Sequence, residues 1–264
     1  MKKLLKEQID NAINEELGIS DEVVRLEGVI EKKLLHYINN GIYEREFSIK
    51  TKQSKLKVSF VFKDFDDERS ANLWIANERG YDGYSYRNNT MYLSIIAING
   101  DLDLNELSDT IQHECTHYWE MKNMRKDLYN QDYQDVVMGM QNRNPYIRLT
   151  YSVIYYTNKN EINAFVNGSF ASAMKKKRKY ATYKEFVEDN SIYEIYSVLH
   201  DALETINNVD IDNDILFESA AIKIGCDKYV LADFIKNAAE IGLKYFLRKV
   251  GNAYSLYVEK NKKN

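Results

Sequence analysis

From Asp103 almost to its end, this chain repeats apolar residues at helical spacing in one segment after another. The stretches lie near 104–125, 131–141, 146–157, 160–176, 183–206, 213–224 and 228–258. Each is read as an amphipathic helix. Proline, the residue most disruptive inside a helix, occurs once in 264 residues. Strand-like patterns are confined to the earlier part. Residues 45–52 and 55–64 alternate apolar and polar side chains around the polar turn TKQS and predict a hairpin. Met91–Ile98 is rich in β-branched and aromatic residues and predicts a third strand. The acidic stretch 64–78 reads as a loop with a short helical piece, and Gly80 to Asn89 as turns. Two more helices are expected at 2–17 and 20–39, the second with Val23, Val24, Leu26, Val29, Ile30, Leu34, Leu35 and Ile38 on a broad apolar face. The expected class is α+β, mostly helical, with a small sheet packed on one central helix.

Composition narrows the function classes. Hydrophobic residues make up 44% of the chain, enough for a sizeable core. A net charge of −4 makes no electrostatic case for a nucleic-acid or membrane partner. The basic run at 175–179 follows a predicted helix and reads as its solvated end. Two cysteines build no disulfide framework, so free thiols in a reducing compartment are expected. The first residues are basic but lead into no apolar run, and no stretch approaches the ~18 apolar residues of a membrane helix. A cytoplasmic protein is expected. The abundance of Asn, Lys, Ile and Tyr suits an AT-rich genome, bacterial or phage, with virion association in the phage case.

Two of the four histidines stand together in His113-Glu114-Cys115-Thr116-His117. The segment predicts a helix that begins at an Asp103 cap with Glu106 three residues on, as in a capping box. Leu104, Leu107, Ile111, Cys115 and Tyr118 form one apolar stripe on that helix, and the histidines lie roughly opposite. Two imidazoles four residues apart share a face and can both reach one zinc ion at ~2.0–2.1 Å. Glu114 lies on the flank of the same face, where it can act as general base toward a metal-activated water.

A catalytic zinc takes a third protein ligand. Glu161 is the best placed, because Ala164, Phe165 and Gly168 share its helix face and make that face inward. The small residues there would let its helix approach the central one. Asn158 and Glu161 are also spaced as a capping box, and Glu120, Asp109, His200 and Asp201 are competing ligands.

HECTH on a helix after a small sheet, followed by Asn160-Glu161-Ile162-Asn163-Ala164-Phe165 on a later helix, resembles the gluzincin branch of the zincin metallopeptidases. The metzincin pattern is absent, since Glu120 and Asn123 stand where it has glycine and histidine. The resemblance implies a zinc metalloendopeptidase with ligands His113, His117 and Glu161 and general base Glu114. It implies a peptide or protein substrate lying along Met91–Ile98 as a sheet edge. A tyrosine or histidine that steadies the oxyanion is also implied, for which Tyr155 and His200 are candidates beside Tyr151 and Tyr156. The expected organisation is N-terminal helices over 1–42, sheet and active-site helix over 43–126, and a helical lobe carrying the third ligand over 127–264, with 43–264 one catalytic unit. The alternative is a catalytically silent zincin-like structural or interaction protein.

Overall fold

A computed structural model describes residues 21–51, 54–78, 83–85, 88–123, 132–175 and 179–262. The expected helix at 2–17, the middle of the TKQS turn and most of the basic run lie outside these residues. The fold is α+β and mostly helical, with one small mixed sheet. The chain divides into two compact units, Met1–Met124 with Asn167–Lys179 and Leu256–Asn264, and Arg125–Val166 with Tyr180–Ser255.

The sheet belongs to the first unit. Its strands are β1 (Glu44–Lys50), β2 (Lys55–Phe65), β3 (Gly83–Ser85) and β4 (Thr90–Ile98), in the order β1-β2-β4-β3. β1 and β2 form the expected hairpin, closed where Thr51 and Ser54 hydrogen-bond each other. β2 and β4 run parallel over their shared length, so a crossover must join them, and α2 (Glu68–Glu78) lies on it. Alternate residues Leu56, Val58 and Phe60 of β2 and Met91, Leu93, Ile95 and Ala97 of β4 are buried. Helix α1 (Asp21–Asn39) buries Val23, Leu26, Ile30 and Leu34, and its Tyr37 ring stacks on Phe60.

The sheet edge differs from expectation. β4 lies inside the sheet, between β2 and β3, and the short β3, read from sequence as turn, is the edge strand. Asn89 enters the left-handed region at φ 53°, which asparagine tolerates, and turns the chain back so that Gly83–Ser85 pairs with Thr90–Tyr92. Only from Leu93 onward does β4 lack a strand on that side, among the described residues. After β4, Asn99 at φ 52° and Gly100 at φ 77° reverse the chain into α3 (Leu104–Asn123).

The second unit is helical. It holds α4 (Asp132–Met140), α5 (Pro145–Tyr156), the start of α6 (Lys159–Lys175), α7 (Tyr183–Glu188), α8 (Ile192–Asn208), α9 (Ile215–Ile224) and most of α10 (Lys228–Lys262). The single proline occupies the first position of α5, where its missing N–H costs nothing, behind an Asn144 cap. Residues 183–206, expected as one helix, are two. Asp189 caps the end of α7, and the Asn190 side chain donates to the Phe186 carbonyl at 2.6 Å, satisfying the carbonyls where α7 stops. Among the described residues no helix is long and apolar enough to cross a membrane.

Glycines set how closely the helices of this unit pack. A Cβ on Gly139 would stand 2.2 Å from ring carbons of Tyr151, joining α4 to α5. Gly28, on the exposed side of α1, has nothing within 4 Å of a built Cβ. Gly139→Ala is therefore expected to destabilise by about 1–3 kcal/mol through overpacking. Gly28→Ala should stabilise by about 0.5–1 kcal/mol through helix propensity. Urea unfolding midpoints of the two variants, measured side by side, check the opposite signs.

Candidate metal centre

Helix α3 starts as expected. The Asp103 carboxylate accepts from the backbone N–H groups of Asn105 at 2.7 Å and Glu106 at 3.1 Å. Its apolar stripe holds from Leu107 to Tyr118, with Ile111 and Cys115 fully buried, while Leu104 is exposed at the first turn. Burial pushes the Cys115 thiol well above its ordinary range, so this cysteine is a packing residue and not a thiolate ligand.

The opposite face of α3 is buried as well. Gln112, Glu114, Thr116, His117 and Glu120 all lie out of solvent, and His113 is partly covered. A helix face of such residues is expensive to bury without internal partners. The histidines converge there. Their rings meet edge to face with centroids 4.6 Å apart, and the two Nε2 atoms stand 3.0 Å from each other. Two nitrogens held at ~2.0–2.1 Å by one tetrahedral ion would stand about 3.3 Å apart. The same contact serves as a hydrogen bond when one ring donates and the other accepts. Glu114 places Oε1 3.9 Å from His113 Nε2, beside the pair and outside direct bonding distance.

Glu161 sits in the first turn of α6 and is 1% exposed. Asn158 caps that helix by accepting from Asn160 N–H at 2.9 Å, so the capping signal in the sequence is real. The Glu161 carboxylate has a further place. One ligand atom each from His113, His117 and Glu161 lie within 4.8 Å of one another. The packing that allows this is visible two turns further along α6. A Cβ on Gly168 would stand 2.0 Å from Asp109 Oδ1 and 2.8 Å from the Asp109 carbonyl oxygen, so α6 touches the α3 backbone there. Asp109 precedes His113 by one helical turn.

The competing ligands fall elsewhere. Asp109 lies against Gly168, and neither it nor Glu120 belongs to the group of three. His200 and Asp201 form a separate group with Glu204 in which all three residues are exposed. The His200 ring lies beside Tyr196. Tyr155 packs edge-on against Tyr156, whose hydroxyl donates to Glu194.

A brace that the sequence did not reveal ties the two site helices to α1. Glu27, 8% exposed, accepts from the Ser108 hydroxyl of α3 at 2.9 Å and from the Lys175 ammonium of α6 at 2.6 Å. Lys175 also donates to Glu31 at 2.6 Å. Burial alone would lower the Lys175 pKa, but the two carboxylates outweigh it and hold the ammonium above its ordinary value. The partners of Glu27 are 81 and 148 residues away in sequence, so no local pattern marks it.

No family model, curated protein or solved structure matches the chain. The site therefore speaks through its chemistry. Two imidazole nitrogens and a carboxylate oxygen, gathered out of solvent, suit a borderline divalent cation. Gly168→Ala is expected to push α6 off α3 and to lower metal affinity at least tenfold. Titration with a chromophoric zinc competitor measures it, with Gly28→Ala as the control that leaves affinity unchanged.

Proposed function

We propose that this protein is a zinc-dependent metallopeptidase of zincin-like build, gluzincin in type. The observation that carries the reading is the convergence of the His113, His117 and Glu161 donors within 4.8 Å, with the Glu114 carboxylate beside the histidine pair. A small sheet followed directly by the helix of the two histidines, and later by the helix of Glu161, supports it. His113 and His117 would hold the metal through ring nitrogens and Glu161 through a carboxylate oxygen. Two histidines and a glutamate are a catalytic zinc donor set, which leaves a coordination position for substrate or water. Bound there, zinc supplies a Lewis acid that polarises the peptide carbonyl and acidifies the attacking water.

The chain's own groups move the proton. The Glu114 carboxylate takes it from the attacking water and delivers it to the departing amine. Being only 5% exposed, Glu114 keeps bulk water from competing for that proton. The edge strand β3 and the uncovered part of β4 offer backbone groups to an extended peptide. A cytoplasmic setting belongs to the same proposal.

Elemental analysis after gel filtration tests the metal. Wild type is expected to carry about one zinc per chain, His117→Ala none, and Glu161→Gln a reduced amount. A peptide-library digest tests the chemistry, and Glu114→Gln should lower cleavage by about 10²–10⁴-fold with zinc retained. Zinc retained without any cleavage by wild type would leave a catalytically silent metal protein. No zinc after reconstitution would reduce HECTH to two histidines hydrogen-bonded on one helix.

A further inference from the structure

A cavity of about 120 Å³ opens along α3 ahead of the histidines. That volume is far below the ~300–1,000 Å³ of pockets that take whole small ligands, and suits a single side chain. Its lining is mixed, with an apolar part from Leu93 and Ile95 of β4, Leu102, Leu107 of α3 and Ile75 of α2. Among the described residues its charged lining residues are Asp103 and Glu106, with no lysine, arginine or histidine. Asp103 is committed to capping α3. Glu106 is not committed: at the solvent-exposed rim of the cavity its carboxylate has, among the described residues, neither a hydrogen-bond donor nor a cation. A carboxylate at the rim of a recess can meet a cationic head whose aliphatic stem lies against the apolar wall. Desolvation there, with a smaller push from Asp103, lifts its pKa above the ordinary value.

The cavity also lies where a peptide would pass. Glu106, Thr110 and His113 occupy successive turns of one α3 face. Seven residues of helix place Glu106 about 10 Å from His113 along the axis. An extended peptide spans that distance in about three residues. β4 lines the cavity with Leu93, Ser94, Ile95 and Ile96, the stretch at which its pairing with β3 has ended.

We propose that this cavity is a specificity subsite for a lysine or arginine side chain of the peptide, about three residues from the bond at the metal centre. The aliphatic stem packs on Leu93, Ile95 and Leu107, and the cationic head meets the Glu106 carboxylate. The inference rests on the peptidase reading for its substrate, and binding can be measured apart from turnover.

The test uses the zinc-reconstituted full chain carrying Glu114→Gln, so that peptides bind and stay intact. Fluorescein-labelled ten-residue peptides with a single Lys, Gln or Glu stepped through each position are titrated by fluorescence anisotropy. One lysine position is expected to bind at least tenfold more tightly than its glutamine counterpart, and Glu106→Gln should abolish that preference. Glu106→Lys should transfer the preference to the glutamate peptide, a gain that a misfolded variant cannot produce. Equal binding of Lys and Gln peptides at every position, or no binding of any peptide, would overturn the subsite. Failure of wild-type protein to cleave the tightest-binding peptide would instead count against the peptidase reading, with the preference for lysine intact.

Discussion

The contact between Gly168 and Asp109 governs what α3 and α6 can do together. With any side chain at position 168 the α6 helix would collide with a carboxylate and a backbone carbonyl of α3. Without that approach the Glu161 carboxylate, two turns earlier on the same helix, has no route to the histidine pair. Helices pack at ~8–10 Å depending on the residues between them. Here the smallest residue is placed where the closest approach is needed. The chemistry of the site is thus a packing consequence first and an electrostatic one second.

The buried polar face of α3 costs free energy that the surrounding groups must offset. Ser108 donates to Glu27, and the Lys175 ammonium is shared between Glu27 and Glu31. Because the Lys175 side chain is part-exposed, losing one partner should cost well under the ~3–5 kcal/mol of a fully buried pair. The network therefore specifies where α1, α3 and α6 sit more than it adds to net stability. A divalent cation between His113, His117 and Glu161 would balance the Glu161 carboxylate in the same way.

Much of this was legible in the sequence where the signal is local. Helix periods, the Asp103 cap, the Thr51–Ser54 hairpin turn and the pairing of His113 with His117 all follow from residues within one or two turns of each other. The inward face of Glu161 was legible too, because Ala164 and Gly168 share it. What escaped depends on distant partners or on very short elements. β3 has three residues and exists only because Asn89 turns the chain back onto β4. The break between α7 and α8 rests on one asparagine side chain bonding a carbonyl. Leu104 kept the helical period yet faces solvent, since a first turn can lie beyond the core it points along. The open carboxylate of Glu106 reads in sequence as half of a capping box, and only its surroundings show that no described residue answers it.

The make-up of the sheet-bearing unit has a consequence for how the chain assembles. The sheet, α1 and α3 come from its first half, but Asn167–Lys179 and Leu256–Asn264 complete the same unit. Synthesis delivers the two histidines well before Glu161, and the closing turns of α10 later still. Loop closure across such separations must be met before the late contacts reward it, which slows folding relative to a helical bundle of local contacts. A ribosome-bound chain that has emerged only through α3 thus holds an unfinished half-site, two imidazoles without the Glu161 carboxylate.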